Sequence, residues 1–414
     1  MEYKVEEQYT NWVYPDPVED MKAAIAKGEY LEIGDPLMYW PLMWPHKRSI
    51  DKLDILVAGC GSNQAAYYAC RNPNWNVLGI DLSDSSLAHQ KKLKEKHNLT
   101  NLRLEKLDLT KIKSLGLDFD FITSTGVLHH LPDPDDGLKA LQSVLRPEGV
   151  INVMVYGTSL RLGVYMMQEV FRTLGFKQTK ADVDIARATV DSLHPEHVLK
   201  RYMKVGYDLK YDAGMVDTFL HPQDRSYSVK ELFSFTRKAG LDFLSWCDPS
   251  EYCLEMAIPA AHPLWAPIHS SDIRKEEKYQ IHDLLVQDRG THRWLCAHTE
   301  YVKKCQINFE TSDFSNYTLH LHRTAKVIKP SDLNKKDSAT FKRYNFSAEF
   351  QFEMSHDLAL LFNTLSGGKK TIQQTLSDLN LDPKAQSALI DKLRPELKSL
   401  YERGHIYILM PEEK

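Results

Sequence analysis

The sequence predicts an α/β protein: a seven-stranded, mostly parallel sheet with a helical insertion, then a C-terminal α+β region ending in a winged-helix-like module. Three observations predict it. From residue 54 onward, short and almost continuously apolar runs alternate with helix-length segments, as right-handed strand–helix–strand crossovers in a doubly covered sheet require. The first run ends in Gly59-Cys60-Gly61, and an aspartate follows each of the next two. The alternation stops near residue 157 and resumes near 228.

Taken in order, residues 1–50 form an arm rich in aromatics and proline (Tyr9, Trp12, Tyr14-Pro15, Trp40-Pro41, Trp44-Pro45), which allows only short helices, one of them near 18–27. Strands are expected at 55–58, 76–80, 102–107, 119–124 and 150–156, with helices at 64–71, 84–97 and 135–145 between them. Residues 157–227 read as a helical insertion, with helices at 161–174 and 181–204. A helix capped by Ser228 and stopped at Gly240 follows, and then strands at 241–246 and 252–258. Asp248-Pro249 joins these two closely enough for a hairpin, making the last strand antiparallel to its neighbour. The sheet domain is thus expected over 51–260, with 157–227 as a lid. Residues 261–355 read as a mixed α/β linker or dimerisation region, with strands at 317–321 and within 346–354 and a polar loop over 332–340. Residues 356–414 read as helix, a turn at Gly367-Gly368, helix, a helix over 384–403 and a strand over 405–409, the winged-helix-like module.

Composition narrows the function. The 414 residues carry 52 Lys and Arg against 56 Asp and Glu, a net charge of −4 that argues against a nucleic-acid partner. Over residues 361–414 the balance is eight basic to seven acidic, so the terminal module suits protein interaction, and a homo-oligomer through the C-terminal region is a possible use for it. None of the six cysteines forms a C-x-x-C pair or a zinc pattern. His194 and His197 share an H-x-x-H spacing but lack further placed ligands, so no metal is expected. The acidic, polar start is no secretory signal and no apolar run reaches about 18 residues, so no membrane span and a cytoplasmic location are expected.

The glycine turn after the first strand lets a ligand approach the backbone where open α/β sheets bind, at the carboxyl ends of their strands. Asp81 lies 22 residues beyond Gly59, where a carboxylate can accept from both hydroxyls of a ribose. Asp108 follows the third strand, where it can accept from an adenine amino group while Leu109 packs on the ring. The bland alternatives, a tight turn, a helix cap beside Ser83 and a strand-end aspartate, remain open at this point, and so does a dinucleotide site.

Residues 54–61 (Asp-Ile-Leu-Val-Ala-Gly-Cys-Gly), 79–83 (Gly-Ile-Asp-Leu-Ser), 107–109 (Leu-Asp-Leu), 126–134 (Gly-Val-Leu-His-His-Leu-Pro-Asp-Pro) and 145–149 (Leu-Arg-Pro-Glu-Gly) resemble the successive motifs of class I S-adenosylmethionine-dependent methyltransferases. The resemblance implies a Rossmann-like sheet, S-adenosylmethionine as cofactor, and a cofactor set of Gly59, Gly61, Asn63, Gln64, Asp81, Leu82, Asp108, Leu109 and Thr125. Asn63 stands where such loops often carry a further glycine, and Glu148 replaces a glycine before Gly149. Residues 9–15 (Tyr-Thr-Asn-Trp-Val-Tyr-Pro) and 219–227 (Phe-Leu-His-Pro-Gln-Asp-Arg-Ser-Tyr) are similar to a bacterial subgroup with a trailing regulatory-type region, some of whose relatives methylate protein lysines. By that likeness Tyr9 and Tyr14 fold over the cofactor; aromatics that merely pin the arm are the alternative.

Methyl transfer is an in-line displacement in which the protein mainly aligns the nucleophile, and an amine acceptor must first lose a proton. The candidates for that task are His129 and His130 after the fourth strand, Tyr156 at the fifth, and His221, with Asp224 and Arg225 of the insertion in reach. Three functions fit: methylation of a lysine-like protein side chain, methylation of a small thiol or amine, and a non-catalytic cofactor-binding sensor or scaffold. A nicotinamide dehydrogenase fits less well, since a third glycine is missing where Asn63 and Gln64 stand and residues 107–109 and 126–131 are left without a role. The methyl acceptor itself is not legible.

Overall fold

Strand β1 (Asp54–Ala58) buries Ile55, Leu56 and Val57 completely, as a strand covered on both faces must. Around it lie β2 (Asn76–Asp81), β3 (Leu102–Lys106), β4 (Phe119–Thr125), β5 (Leu145–Gly157), β6 (Ser226–Tyr227), β7 (Leu241–Trp246) and β8 (Thr291–His298). The computed structural model describes residues 8, 12, 14–47, 49–270, 272–322, 324–328, 339–344, 349–364, 370–379 and 381–411. The strand order is β3-β2-β1-β4-β5-β8-β7, with the two-residue β6 beside β5. Pairs among β1 to β5 are parallel, and β8 is antiparallel to both β5 and β7. The order reverses direction at β1 and β4, the switch point at whose carboxyl strand ends open α/β sheets bind their ligands.

Local chemistry sets the helices. Ser83 caps Asp84–His97 by accepting from the Ser86 amide, and Asn98 ends it at φ 52°. Asp133 caps Pro134–Gln142, with Pro134 at the first helical position, where a missing N–H costs nothing. Ser228 and Glu231 close a reciprocal capping box on Val229–Lys238.

Several elements differ from expectation. Residues 252–258 are not a strand: a 3-10 turn (Pro249–Tyr252) and a helix (Leu254–Ala257) stand there. Asp248 accepts from the Ser250 amide ahead of Pro249, which makes Asp-Pro a helix start and not a hairpin corner. The antiparallel strand is β8, some forty residues later, so the sheet continues past residue 260. The helix expected over 181–204 breaks into Lys180–Ser192 and Leu199–Met203, because Pro195 bars its predecessor from helical geometry. Helix Thr158–Thr173 begins directly after β5.

The chain divides into two compact units. The first comprises Met1–Asp35, Asp51–Cys247 and Leu254–Val302; the second comprises Pro36–Ile50, Asp248–Cys253 and Lys303–Lys414. In the second, β9 (Thr318–Leu321) pairs antiparallel with β13 (Ile406–Leu409), while β10 (Ala325–Ile328), β11 (Ala339–Tyr344) and β12 (Glu349–Met354) form an antiparallel sheet. Its core gathers Phe314, Leu319, Phe341, Leu361 and Leu393 with Ile406 and Ile408. Arg343, fully buried, pairs there with Asp248. Helices His356–Thr364, Ile372–Ser377 and Pro383–Glu402 precede the last strand. The turn expected at Gly367-Gly368, residues 332–338 of the expected loop and residues 346–348 lie outside the described residues. No helix among the described residues is long and apolar enough to cross a membrane.

Candidate active site

Parallel pairing of β1 to β5 brings the ends of these strands to one edge of the sheet. After β1 the chain turns at Gly59 (φ 74°) and Gly61 (φ 51°), conformations that L side chains adopt only under strain. A Cβ on Gly59 would lie 2.3 Å from a Val127 methyl, so the loops after β1 and β4 meet there. Asp81, at the end of β2, accepts from the Gly61 amide through Oδ2 and from the Ser83 amide through Oδ1, each at 2.8 Å. Burial raises its carboxyl above the ordinary range, against the pull of these amides. The Leu82 amide bonds to it as well, and a carboxylate offers about four lone-pair sites, so room is left for a hydroxyl.

The arm crosses this loop. Ser62 Oγ donates to the Pro15 carbonyl, Asn63 Nδ2 donates to that of Asp16, and the Val18 amide donates to Asn63 Oδ1, at 2.7, 2.8 and 2.9 Å. Gln64 Nε2 donates to the buried Glu32 at 2.8 Å. The side chains of Asn63 and Gln64 therefore hold the arm. Asp108 caps the 3-10 helix Leu109–Leu115, accepting from the Thr110 amide and hydroxyl, so the bland use of this residue is realised in the fold. Leu109 is buried, Leu82 half-buried, and Thr125 ends β4 with its hydroxyl 3.4 Å from that of Thr123. Tyr9 lies outside the described residues. Sequence reasoning missed Gln90, whose amide spans the loop: Nε2 donates to the Cys60 and Gly61 carbonyls while Oε1 accepts from the Ala66 amide. Its signal was a glutamine on the inward stripe of an otherwise amphipathic helix.

All four catalytic candidates come together. The His129 ring lies 3.9 Å from that of Tyr156 and 4.1 Å from that of His130, and His130 stacks on His221 at 3.9 Å. Burial, the first cause in each case, holds all three imidazoles below their ordinary pKa, most strongly His129 and His221. Both ring nitrogens of His129 are buried without a hydrogen-bond partner.

The insertion adds carboxylates. Tyr156 donates to Asp217 at 2.6 Å and Tyr14 donates to Asp208 at 2.8 Å. Burial, with Asp208 next, pushes the Tyr14 hydroxyl well above its usual range. Arg161 stands 3.6 Å over the Tyr156 ring and donates to Tyr202 and Asp224, which also accepts from Gln168. Arg225 turns outward to Glu231 and the Tyr227 ring, so it does not join the cluster. His194 and His197 are turn residues whose Nδ1 atoms accept from the Glu196 and Leu199 amides. Asp217 and Arg161 were not singled out in the sequence, although each is a lone charge within an apolar helical run.

His130, Asp217 and His221 place one potential ligand atom each within 4.8 Å of one another. They do not offer three lone pairs to a cation. The Gln223 amide donates to His221 Nδ1 at 3.0 Å, which leaves the proton of a neutral ring on Nε2, and an imidazole so protonated cannot ligate through that atom.

Residues 56–151 match a family model described as a methyltransferase domain. The chain carries a class I S-adenosylmethionine-dependent methyltransferase domain. Over 238 residues it is 30% identical to an uncharacterised protein of Synechococcus, covering 56% of this chain and 57% of that one. A tRNA U34 carboxymethyltransferase of Pseudoalteromonas translucida is 32% identical over 110 residues, 27% of this chain and 34% of the relative. The chain thus spans little more than half of the first relative and a third of the second. Among solved structures, PKMT2 from Rickettsia typhi is similar over 91% of this chain and 76% of that one, with a TM-score of 0.64 at 16% identity. A second structure of it, in complex with AdoHcy, gives 0.63. At that identity the likeness shows the fold, and it extends well beyond the methyltransferase domain.

Proposed function

We propose that this chain is an S-adenosylmethionine-dependent methyltransferase acting on an amine, first of all a lysine-like side chain of a protein. One observation carries the choice of acceptor. Three carboxylates, Asp208, Asp217 and Asp224, gather at the ends of β4 and β5 around Arg161, the one fully buried Lys or Arg of the first unit among the described residues. Arg161 pairs with Asp224, and Tyr14 and Tyr156 donate to Asp208 and Asp217, so this acid-rich cluster would draw an incoming cation. A sulfonium and an alkylammonium are such cations. The choice of a protein acceptor draws on the insertion's outer face, where Leu162, Met166, Val170 and Leu174 stand exposed at four-residue spacing, as interaction surfaces do. The net charge of −4 speaks against an RNA acceptor.

S-adenosylmethionine, when bound, supplies a methyl group activated by a positive sulfur. The residues present fit it in part: Asp81 keeps a lone pair for the ribose, whereas Val127 stands against Gly59 and Pro15 of the arm against Gly61, so these would shift to admit the ligand. Asp108 and Leu109 would face the adenine, with Tyr14 and the arm closing over the loop. Asn63 and Gln64 serve by fastening that arm, and Leu82 and Thr125 by lining the strand ends. The enclosed cluster of His129, His130, Tyr156 and His221 keeps water from the sulfonium.

That enclosure also favours a second reading, a small amine or thiol as acceptor. A lysate incubated with the purified chain and isotope-labelled donor separates the two. Label in lysine residues of proteins supports the first reading, and label only in small products replaces it with the second. Binding of S-adenosylhomocysteine with no label anywhere leaves a sensor, and absence of binding sinks the assignment.

A further inference from the structure

We propose that His130 is the group that takes the acceptor's proton, and that the peptide of Gln223 selects it by fixing His130 and His221 in opposite tautomers. The inference rests on the amine reading above. A carbonyl oxygen only accepts, so the 3.1 Å contact between His130 Nδ1 and the Gln223 carbonyl places the proton of a neutral ring on Nδ1. The N–H of the same residue donates to His221 Nδ1 at 3.0 Å. One residue thus leaves His130 with a lone pair on Nε2 and His221 with a proton on Nε2. The rings are stacked at 3.9 Å and 24°, so a base and a donor sit face to face.

His129 differs. With both nitrogens buried and unpartnered, nothing among the described residues orients its tautomer, and its ring serves as a wall against Tyr156. The ionisable groups facing His130 are His129 and His221, Tyr156, Asp217 and Asp224 of the insertion, and Arg161. The two aspartates favour its protonated form; Arg161 and burial oppose it. Asp217 places a carboxylate oxygen within 4.8 Å of a His130 ring nitrogen while accepting from Tyr156, so an imidazolium formed there gains a counter-ion already oriented.

The step balances as follows. One N–H bond of the alkylammonium breaks, its electron pair stays on nitrogen, and the proton goes to His130 Nε2. The freed pair then bonds to the methyl carbon while the carbon–sulfur bond breaks with its pair left on sulfur. The methylated amine carries the positive charge away. His130 is the catalytic residue here; Gln223 and His221 are positioning residues.

Long-range 1H–15N correlation on the full chain with labelled histidines reads the tautomers directly, with single substitutions assigning the signals. His130 protonated on Nδ1 and His221 on Nε2 is the expected result; the same tautomer for both, or the reverse, overturns the proposal. His130→Asn keeps a donor for the Gln223 carbonyl but has no base. It should bind S-adenosylhomocysteine as the parent does, lose roughly 100- to 10,000-fold in kcat, and lose the acid limb of the pH–rate profile. Transfer within about twofold of the parent, with that limb intact, sinks this proposal alone. No transfer by the parent to any amine sinks the amine reading and this proposal with it, while the tautomer measurement still reports on Gln223.

Discussion

Asp81 accepts from the amides of Gly61 and Ser83, so it braces the loop, and the proposed function asks it to hold a ribose as well. An Asp81→Asn variant keeps one acceptor oxygen and loses the charge. Hydrogen bonds to a charged group are worth about 1.5–3 kcal/mol, so affinity for S-adenosylhomocysteine should fall roughly 10- to 150-fold by calorimetry. Gly59 makes a separable demand. Gly59→Ala adds a left-handed alanine and a methyl against Val127, and should cost roughly 2–4 kcal/mol in urea unfolding. In a Val127→Ala background only the backbone part, about 1–2 kcal/mol, should remain; an unchanged cost would show that the contact is not the cause. Spacing made Gly59, Gly61 and Asp81 legible in the sequence, because the crossover fixes which residues end neighbouring strands. Asp208 and Asp217 were not legible, since their meaning comes from Tyr14 and Tyr156, which lie 194 and 61 residues away in the chain.

At the scale of elements, sequence periodicity served the buried strands β1, β2 and β4 and their helices well, since continuous apolar runs with caps have few other readings. It failed at β8. Thr-His-Arg-Trp-Leu-Cys-Ala-His carries three polar residues in its first half and a terminal histidine, yet His292 is fully buried, bonded through Nε2 to the Tyr227 carbonyl. A tertiary partner makes a polar residue acceptable in a core strand, and a single sequence does not show one. The N-terminal arm presents the opposite case: aromatics and prolines announced a packed segment, but its fastening is polar. Asn63→Ala removes both bonds to the arm, from the Val18 amide and to the Asp16 carbonyl. Amide exchange at Val18 should speed up about tenfold or more, by mass spectrometry, with residues remote from the arm unchanged. If the arm covers the cofactor, binding of S-adenosylhomocysteine weakens in step; exchange without a loss of affinity would detach the arm from the site.

Across the whole molecule the ionisable groups predict how stability follows pH. In the first unit, burial lowers His282 and His292 to about 4. Between that value and about 6.5 the unfolded chain binds protons that the folded one does not, so these residues make stability rise with pH over that window, each by up to about 3 kcal/mol. Asp283 has the other sign. Burial raises it to about 6, so the folded state holds the extra proton, and its contribution is complete below about 4 and lost as pH rises through 6. In the second unit His405 is lowered to about 3, by burial first and by Arg343 and Arg403 next. Asp248 acts only at lower pH: burial would raise its carboxyl, but Arg343 holds it below the ordinary range, so its contribution is intact above about pH 4 and lost as pH falls further through the folded pKa. Acidification from pH 7 to 4.5 should therefore lower the urea midpoint of the first unit, where burial lowers His129, His130 and His221 as well, and that of the second through His405, with single-tryptophan variants retaining Trp44 or Trp294 reporting on each. Asp283→Asn removes the opposing group and should steepen the acid loss of the first unit, whereas His292→Gln, which keeps a donor for the Tyr227 carbonyl, should flatten it. Identical slopes in the parent and both variants would mean that these buried groups do not set the acid sensitivity of the fold.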